Sequence, residues 1–183
     1  MRMMDKIKSM VLELCEGSDW EWKEHVEGVV KYSKLLAGKT GADAEVLELA
    51  AWLHDITKIK GAKKDHEVSG AEEAGKILAG LGYPPEKTDK IKRCILSHPS
   101  DKLPEPETKE EKILFAADAL SHFDMFLVHA RTCFVRKGMD VEAAREKLKE
   151  KYEKYWKKAS IMPEAEELGR EKYDAVVMIL GES

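Results

Sequence analysis

The chain has few features that would place it in a specialised class of proteins. Its three cysteines, at positions 15, 94 and 133, are odd in number and far apart, so they indicate neither a zinc knuckle nor a disulfide framework. No uncharged segment is long enough to span a bilayer, and charges interrupt the apolar positions of residues 1–14, which argues against a signal peptide. We therefore expect a cytoplasmic protein with reduced, buried cysteines and no membrane partner.

Positive charge is not in excess either. The formal net charge is -4, and a weakly acidic chain has no long-range attraction for nucleic-acid polymers or anionic membranes. Charged residues make up 36% of the chain, and many are Lys and Glu at helical spacing. In residues 142–158 this pattern predicts solvated helix faces. A local basic pocket for a small ligand stays compatible with that composition.

Strand patterns, internal repeats and low-complexity segments are absent, so nearly every segment predicts helix and the fold class is all-α. The length of 183 residues and the 43% hydrophobic content suffice for a single domain over residues 1–183. Capping boxes at 18–21 and 108–111 and the Pro84-Pro85 pair mark three helix starts. Further helices are predicted at about 3–15, 19–38, 43–55, 67–81, 121–137, 140–158 and 163–180.

The doublet His54-Asp55 follows the apolar stripe of Leu49, Leu53 and Ile56 at the end of a buried helix. Neighbouring helical side chains diverge by about 100°, so the two can meet only where the chain begins to leave the helix. A buried imidazole beside a buried carboxylate is costly unless both have partners. The doublet therefore predicts that other polar residues converge on it.

Similar residues lie on other predicted apolar helix faces. His25 is in line with Val29 and Tyr32, and His98 follows Ile91 and Ile95. Asp118 has apolar neighbours throughout, and His66 opens a further helix. Each alone has an ordinary explanation as a hydrogen-bonded core residue. Together they favour a shared cation, and a nitrogen and oxygen donor set without thiolate suits Mn, Fe, Co, Ni, Zn or Mg. Open positions on such an ion would favour a hydrolytic, metal-activated water.

The ordered set of a His, a His-Asp doublet and a distant Asp resembles the HD-domain superfamily of metal-dependent phosphohydrolases. The motifs are His25, Ala-Trp-Leu-His-Asp-Ile around the doublet, and Ala-Ala-Asp-Ala-Leu around Asp118. The resemblance covers roughly residues 20–124. It implies an HD-type bundle of about five core helices over about 18–125, with accessory helices at 126–183 packed on that core. It also implies hydrolysis of a small phosphate ester, often in a nucleotide.

The resemblance further implies one or two divalent metal ions. By position, His25, His54, Asp55 and Asp118 would bind the first ion. His66 and His98 match the two extra histidines of members with a second ion, and Asp55 would then bridge both. Lys58 matches a basic residue that approaches the substrate phosphate, or else it is a solvated loop lysine. Asp55 and Lys58 are thus the predicted catalytic residues.

The sequence departs from some relatives within this resemblance. Thr57 and Pro99-Ser100 stand where cyclic-dinucleotide phosphodiesterases have a Gly and a Gly-Tyr-Pro, which argues against that activity. Lys58 stands where small deoxynucleotidases have a Glu. Candidate general bases are therefore sought elsewhere, and surface charges are the alternative for each of them: Asp65, Glu67 and Glu72.

Several alternatives stay open. The loop lysines Lys60, Lys63 and Lys64 either steer an anionic substrate or are surface charges. His122 and His129 either line the same cavity or are ordinary core or surface histidines, and Arg131 and Arg136 are candidate phosphate clamps.

The apolar run 175–180 packs on its own core or on a second subunit in a homodimer. Two other functions fit the same donors, namely a di-iron oxygenase and a metal-bound regulatory module without turnover.

Overall fold

The computed structural model describes residues 2–16, 21–62, 64–99 and 104–181. Over these ranges the regular elements are all helical and no strand occurs, which confirms the predicted all-α class. The helices are α1 (Met3–Glu16), α2 (Glu21–Thr40), α3 (Ala44–Leu53), α4 (Ile56–Ile59), α5 (His66–Gly80), α6 (Pro85–Leu96), α7 (Lys109–Asp124), α8 (Phe126–Arg131), a π-helical turn (Thr132–Arg136), α9 (Val141–Ala159) and α10 (Pro163–Leu180).

The central helix is α7, which packs on α2, α3 and α6 as well as on α9 and α10. Its apolar side chains are removed from solvent almost completely, including Ile113, Leu114 and Leu120. Each such side chain contributes about 1.5–3 kcal/mol through burial. The helices after residue 126 therefore pack directly on the part of the bundle formed by residues 21–124.

Local signals placed most helix starts correctly. The carboxylate of Asp43 accepts a hydrogen bond from the Val46 amide (3.1 Å) and caps α3, and the Thr108 hydroxyl accepts one from Glu111 (3.3 Å) at the start of α7. Pro85 occupies the first turn of α6, where its missing N–H costs nothing. The capping box predicted at 18–21 lies largely outside the described residues.

The single helix predicted at 121–137 is wrong, because the chain breaks there into the end of α7, then α8, then the π-helical turn. The His122 carbonyl accepts hydrogen bonds from the Met125 amide (3.2 Å) and from the Tyr152 hydroxyl (3.0 Å). These two donors occupy the carbonyl that the Phe126 amide would use to continue the α-helix. The axes on the two sides of the break differ by 69°.

The described ranges contain no single helix that is long and apolar enough to cross a membrane. Only α7 combined with residues 126–136 passes by length and composition, as a bent pair. The C-terminal apolar run is divided between two environments: Val176 and Leu180 are buried, whereas Met178 and Ile179 are exposed.

Candidate metal centre

The chain changes direction at His54 and Asp55, and this brings the two side chains together. Helix α3 ends at Leu53, and Asp55 (φ -110°, ψ 18°) interrupts the helical path before α4 begins. Instead of diverging, the side chains approach, with His54 Nε2 3.5 Å from Asp55 Oδ2. The sequence predicted that the two side chains could meet only at a helix end, and α3 does end at this point.

One oxygen of Asp55 faces histidines from α2 and α3. Asp55 Oδ2 lies 3.6 Å from His25 Nε2 and 3.5 Å from His54 Nε2, and the two imidazole nitrogens are 3.2 Å apart. Asp118, on α7, closes this group with its Oδ1 3.3 Å from His25 Nε2 and 4.0 Å from His54 Nε2. His25 and His54 thus each lie within 4.0 Å of both carboxylates, and the four residues predicted to bind a first ion lie close together.

The other oxygen of Asp55 faces a second pair of histidines. Asp55 Oδ1 lies 3.6 Å from His66 Nε2, at the start of α5, and 3.5 Å from His98 Nε2, just beyond α6. The carboxylate thus stands between two separate imidazole pairs, one on each oxygen. Each oxygen of Asp55 therefore has its own pair of nitrogen donors.

Hydrogen bonds on the far side of three imidazoles fix which nitrogen faces the cluster. His54 Nδ1 donates to the Ala51 carbonyl (2.8 Å), and His98 Nδ1 donates to the Ile95 carbonyl (2.6 Å). Because the Ser121 hydroxyl donates to the Asp118 carbonyl (2.7 Å), its oxygen accepts from His25 Nδ1 (3.0 Å). In this arrangement Nδ1 of all three rings carries a proton and Nε2 faces the cluster, the orientation in which a neutral ring binds a metal ion.

The electrostatics of the cluster favour positive charge inside it. Burial raises the pKa of Asp55, but its histidine partners and Lys58 outweigh that effect and hold it well below the ordinary range. Asp118 behaves likewise, with the Lys158 ammonium as the largest opposing influence. Burial lowers the pKa of His25, yet hydrogen bonds to Asp118 and Asp55 prevail and raise it to about 9. Two ionised carboxylates at the centre of a buried site favour a cation between them.

The donor geometry fits divalent ions. Metal bonds of about 2.0–2.2 Å to nitrogen and oxygen place neighbouring ligands about 3.0–3.4 Å apart. In the first group the pairs that include His25 or His54 are separated by 3.2 to 4.0 Å, and those around Asp55 Oδ1 by 3.5 and 3.6 Å. The donor sets that could hold an ion include His25 with His54 and Asp55, and Asp55 with His66 and His98.

Two lysines contact the two carboxylates, one each. Lys58 Nζ donates to both oxygens of Asp55, at 3.2 and 2.9 Å, so this lysine lies in the site and is not simply solvated. Lys158, on α9, donates to Asp118 Oδ2 and to the His98 carbonyl (2.6 Å) while only 7% exposed. The solvated face expected for residues 142–158 is therefore wrong at Lys158, which the sequence pattern did not distinguish from its neighbours.

His122 also belongs to the cluster, which resolves one open alternative. Its Nε2 lies 3.7 Å from Asp118 Oδ1, and its ring stacks on that of His25 with centroids 4.7 Å apart. Tyr155 stacks on its other side at 4.1 Å. His129, in contrast, is a buried histidine whose Nδ1 donates to the Tyr152 hydroxyl (2.8 Å).

Most of the other candidates lie away from the site. Arg131 and Arg136 pair with Glu21 at 3.9 and 3.0 Å, and Lys60 pairs with Glu73 at 2.8 Å. These side chains are structural or surface charges in this arrangement. Asp65, Glu72 and Lys64 are exposed, whereas Lys63 lies outside the described residues.

Glu67 is buried beside the cluster, with its Oε2 3.4 Å from His66 Nδ1. A carboxylate on the outer nitrogen of a metal-binding histidine orients the ring and raises its basicity. The contact with the outer nitrogen suits this orienting role better than that of a general base.

The cluster opens into a cavity of about 290 Å³. Its lining combines part of the cluster with several cations and one tyrosine, namely Lys58, His66, His98, Pro99, Asp118, Lys151, Lys154, Tyr155 and Lys158. Because lysines outnumber carboxylates among the described residues of its walls, the cavity favours an anionic ligand.

Comparison with known proteins gave three matches. The family model of the HD domain matches residues 22–122. Over 98 residues the chain is 37% identical to Ribonuclease Y of Thermoanaerobacter pseudethanolicus (strain ATCC 33223 / 39E), an alignment that covers 54% of this chain but 18% of that protein. The chain thus spans less than a fifth of the length of this relative.

The fold is similar to the crystal structure, at 1.45 Å resolution, of a predicted HD superfamily hydrolase from an uncultured Thermotogales bacterium. The TM-score is 0.57, with 25% sequence identity over 81% of this chain and 84% of the other. The structural similarity therefore covers a larger share of the chain than residues 22–122 do.

Proposed function

This chain belongs to the HD domain family, and we propose that it hydrolyses a phosphate ester of a small molecule, with a nucleotide as the expected substrate. HD-type relatives support a metal-dependent hydrolase in general terms. To this general activity we add a substrate class, a set of metal ligands and the catalytic residues Asp55 and Lys58. The proposed ligands are His25, His54, Asp55, His66, His98 and Asp118.

The observation that carries the proposal is the position of Asp55 between two histidine pairs. Its Oδ2 faces His25 and His54, and its Oδ1 faces His66 and His98. We expect it to bridge two divalent ions, with Asp118 completing the first. Nitrogen and oxygen donors admit Mn, Fe, Co, Ni, Zn or Mg, and cellular supply would select among them.

Ions bound there would supply Lewis-acid chemistry, activating a water as nucleophile and offsetting charge on the phosphoryl oxygens. The protein's own residues orient the reactants. Asp55 stays ionised at neutral pH because its pKa is held low, so it keeps its acceptor oxygens directed into the site. Lys58 lines the cavity beside it and is placed to bind a phosphoryl oxygen of the substrate.

A second candidate is cleavage of a phosphodiester in RNA, which the 37% identity to a ribonuclease favours. The formal net charge of -4 and the cavity of about 290 Å³ favour a small substrate instead. A di-iron oxygenase would contain iron and consume oxygen, and a regulatory module would bind a nucleotide without product.

The test combines metal analysis with turnover. We expect purified protein to bind about two divalent ions and to release phosphate from members of a nucleotide and sugar-phosphate panel with added Mn²⁺, Co²⁺, Ni²⁺ or Mg²⁺. Asp118→Asn and His54→Ala should lower metal affinity and reduce kcat/KM by about 10³-fold or more, because each removes a direct ligand.

His129→Gln is the matched control, since His129 is a buried histidine that bonds to Tyr152 and whose ring contacts His122, which is not one of the six proposed ligands. It should keep the metal stoichiometry and most of the activity. Full metal content and turnover in both His54→Ala and Asp118→Asn would refute the ligand assignment. Turnover limited to RNA would favour the second candidate.

A further inference from the structure

Helix α9, which lies outside the residues matched by the HD family model, places a row of lysines along the cavity. Lys151, Lys154 and Lys158 are three and four residues apart and so share one helix face. Tyr155 lies between them and also lines the cavity. The accessory helix therefore contributes a cationic wall to a site whose metal-binding side chains come from earlier helices.

Two of these lysines differ from the third in their partners. Lys158 is engaged by Asp118 and by the His98 carbonyl. Among the described residues Lys151 and Lys154 form no ion pair, and the contact found for Lys151 is with the Tyr155 ring, 5.7 Å from its Nζ. Other lysines of α9 do pair locally, as Lys147 does with Glu150 (3.5 Å).

Lys151 is also half-buried, and burial is the main reason that its pKa is lowered. Cys133 and Glu21 oppose that effect without outweighing it, and a partly dehydrated ammonium group without an ion-pair partner is costly unless a ligand compensates it. In a chain of net charge -4, four lysines line this cavity, and among the described residues of its lining Asp118 is the one carboxylate. The wall is thus suited to an anion that the protein does not itself supply.

We propose that Lys151 and Lys154 form a subsite for a second phosphate group of the substrate. Building on the proposed function, the scissile phosphate would lie at the Asp55 cluster and Lys58, and the second phosphate would lie along α9. The substrate class is then a small bisphosphate, such as a nucleoside or sugar carrying two separate phosphates. A cavity of about 290 Å³ is at the lower end of the range for small-molecule sites, which agrees with this size.

The test measures binding, so it stays informative if turnover is not found. With the full chain saturated with Mn²⁺, the dissociation constants of adenosine 5′-monophosphate and adenosine 3′,5′-bisphosphate are compared by calorimetry. We expect the bisphosphate to bind at least tenfold more tightly, and Lys154→Gln and Lys151→Gln each to reduce that preference about tenfold, because each removes a charge-assisted contact.

Lys157→Gln is the matched control, since it removes the same charge from an exposed position of α9 that does not line the cavity. It should leave the preference unchanged. Lys151 is half-buried, so a loss of preference in Lys151→Gln could come from misfolding. Lys154 is exposed, so Lys154→Gln tests the subsite with less risk of misfolding. Circular dichroism of each variant provides the same check.

Three results would overturn the subsite: equal affinity for the two nucleotides, an unchanged preference in both lysine variants, or an equal loss in Lys157→Gln.

A third probe, a 5′-phosphorylated diribonucleotide, separates a small ligand from a polynucleotide. If it binds tenfold more tightly than the bisphosphate through the same lysines, the small-molecule class is wrong. Phosphate release is measured separately from binding. A protein that shows the expected affinities but releases no phosphate would contradict only the proposed function.

Discussion

At the scale of single residues, Lys158 connects the accessory helix α9 to the predicted metal centre. Its ammonium is buried between Asp118, the His98 carbonyl and the Phe115 ring, whose centroid is 4.6 Å away. Removing one member of a buried ion pair leaves the other charge uncompensated and costs about 3–5 kcal/mol. The stability of the centre should therefore depend on this lysine.

We predict that Lys158→Met lowers the free energy of unfolding by about 3 kcal/mol in the presence of a chelator, because Asp118 keeps a buried charge without its partner. The loss should be smaller with saturating Mn²⁺, since a bound cation would compensate that carboxylate. Urea denaturation with and without metal measures both values. Lys157→Met, at the exposed neighbouring position, should change neither by more than about 0.5 kcal/mol.

The sequence distinguished some of these residues and not others for a physical reason. Asp118 stands out because its neighbours are apolar and an isolated carboxylate there needs a partner. Lys158 ends a segment of Lys and Glu, and its pattern is the same as that of a solvated helix. Its burial depends on where α9 lies on α7, which the local sequence does not encode.

At the scale of helices, the contact between α2 and α7 positions His25 relative to Asp118. Gly28 lies against Ser121, and a Cβ built at Gly28 would be 3.0 Å from the Ser121 Cβ. Ser121 also accepts the hydrogen bond from His25 Nδ1. The close approach of the two helices is therefore linked directly to the orientation of a predicted ligand.

We predict that Gly28→Ala destabilises the protein by about 1–3 kcal/mol, because the added methyl group forces α2 and α7 apart. Mn²⁺ affinity, measured by calorimetry, should fall about tenfold as His25 moves. Gly38→Ala, in the same helix with nothing within 4 Å of its Cβ, should instead stabilise by about 0.5–1 kcal/mol. Similar stabilisation by both substitutions would contradict the predicted role of the close contact.

The helix boundaries were predictable wherever the signal was local, as at Asp43, Pro85 and Thr108. The break near Met125 was not, because one of the two groups that engage the His122 carbonyl is Tyr152, a residue of α9. A competing hydrogen bond from a distant helix leaves no periodic trace in the segment that it interrupts.

At the scale of the whole molecule, the predicted centre gathers side chains from α2, α5 and α7 and from the ends of α3 and α6. Each donor could be predicted from its own helix, because a polar residue on an apolar face is an energetic problem wherever it occurs. Their separations of 3.2 to 4.0 Å are a property of the packed bundle. So is the cavity wall formed by α9, for which the sequence offered no pattern.

Acid stability is a property of the whole molecule to which His129 makes a separable contribution. The side chain is 7% exposed and bonds to Tyr152, and burial, followed by the nearby Lys151, lowers its pKa from 6.5 to about 3. The folded protein therefore keeps this histidine neutral, whereas the unfolded chain takes up a proton below about pH 6.5. Stability from this group is complete above pH 6.5 and is lost as the pH falls toward 3.

We predict that His129→Gln removes this part of the pH dependence. Below pH 6.5 the wild-type free energy of unfolding should fall by up to about 1.4 kcal/mol per pH unit more steeply than that of the variant, because one proton is involved. Denaturant unfolding between pH 5 and 8 in the presence of chelator measures both curves. The other histidines are common to the two proteins, so the difference in slope reports His129 together with its effect on the adjacent His122. Parallel curves would show that His129 is protonated in the folded state as readily as in the unfolded chain.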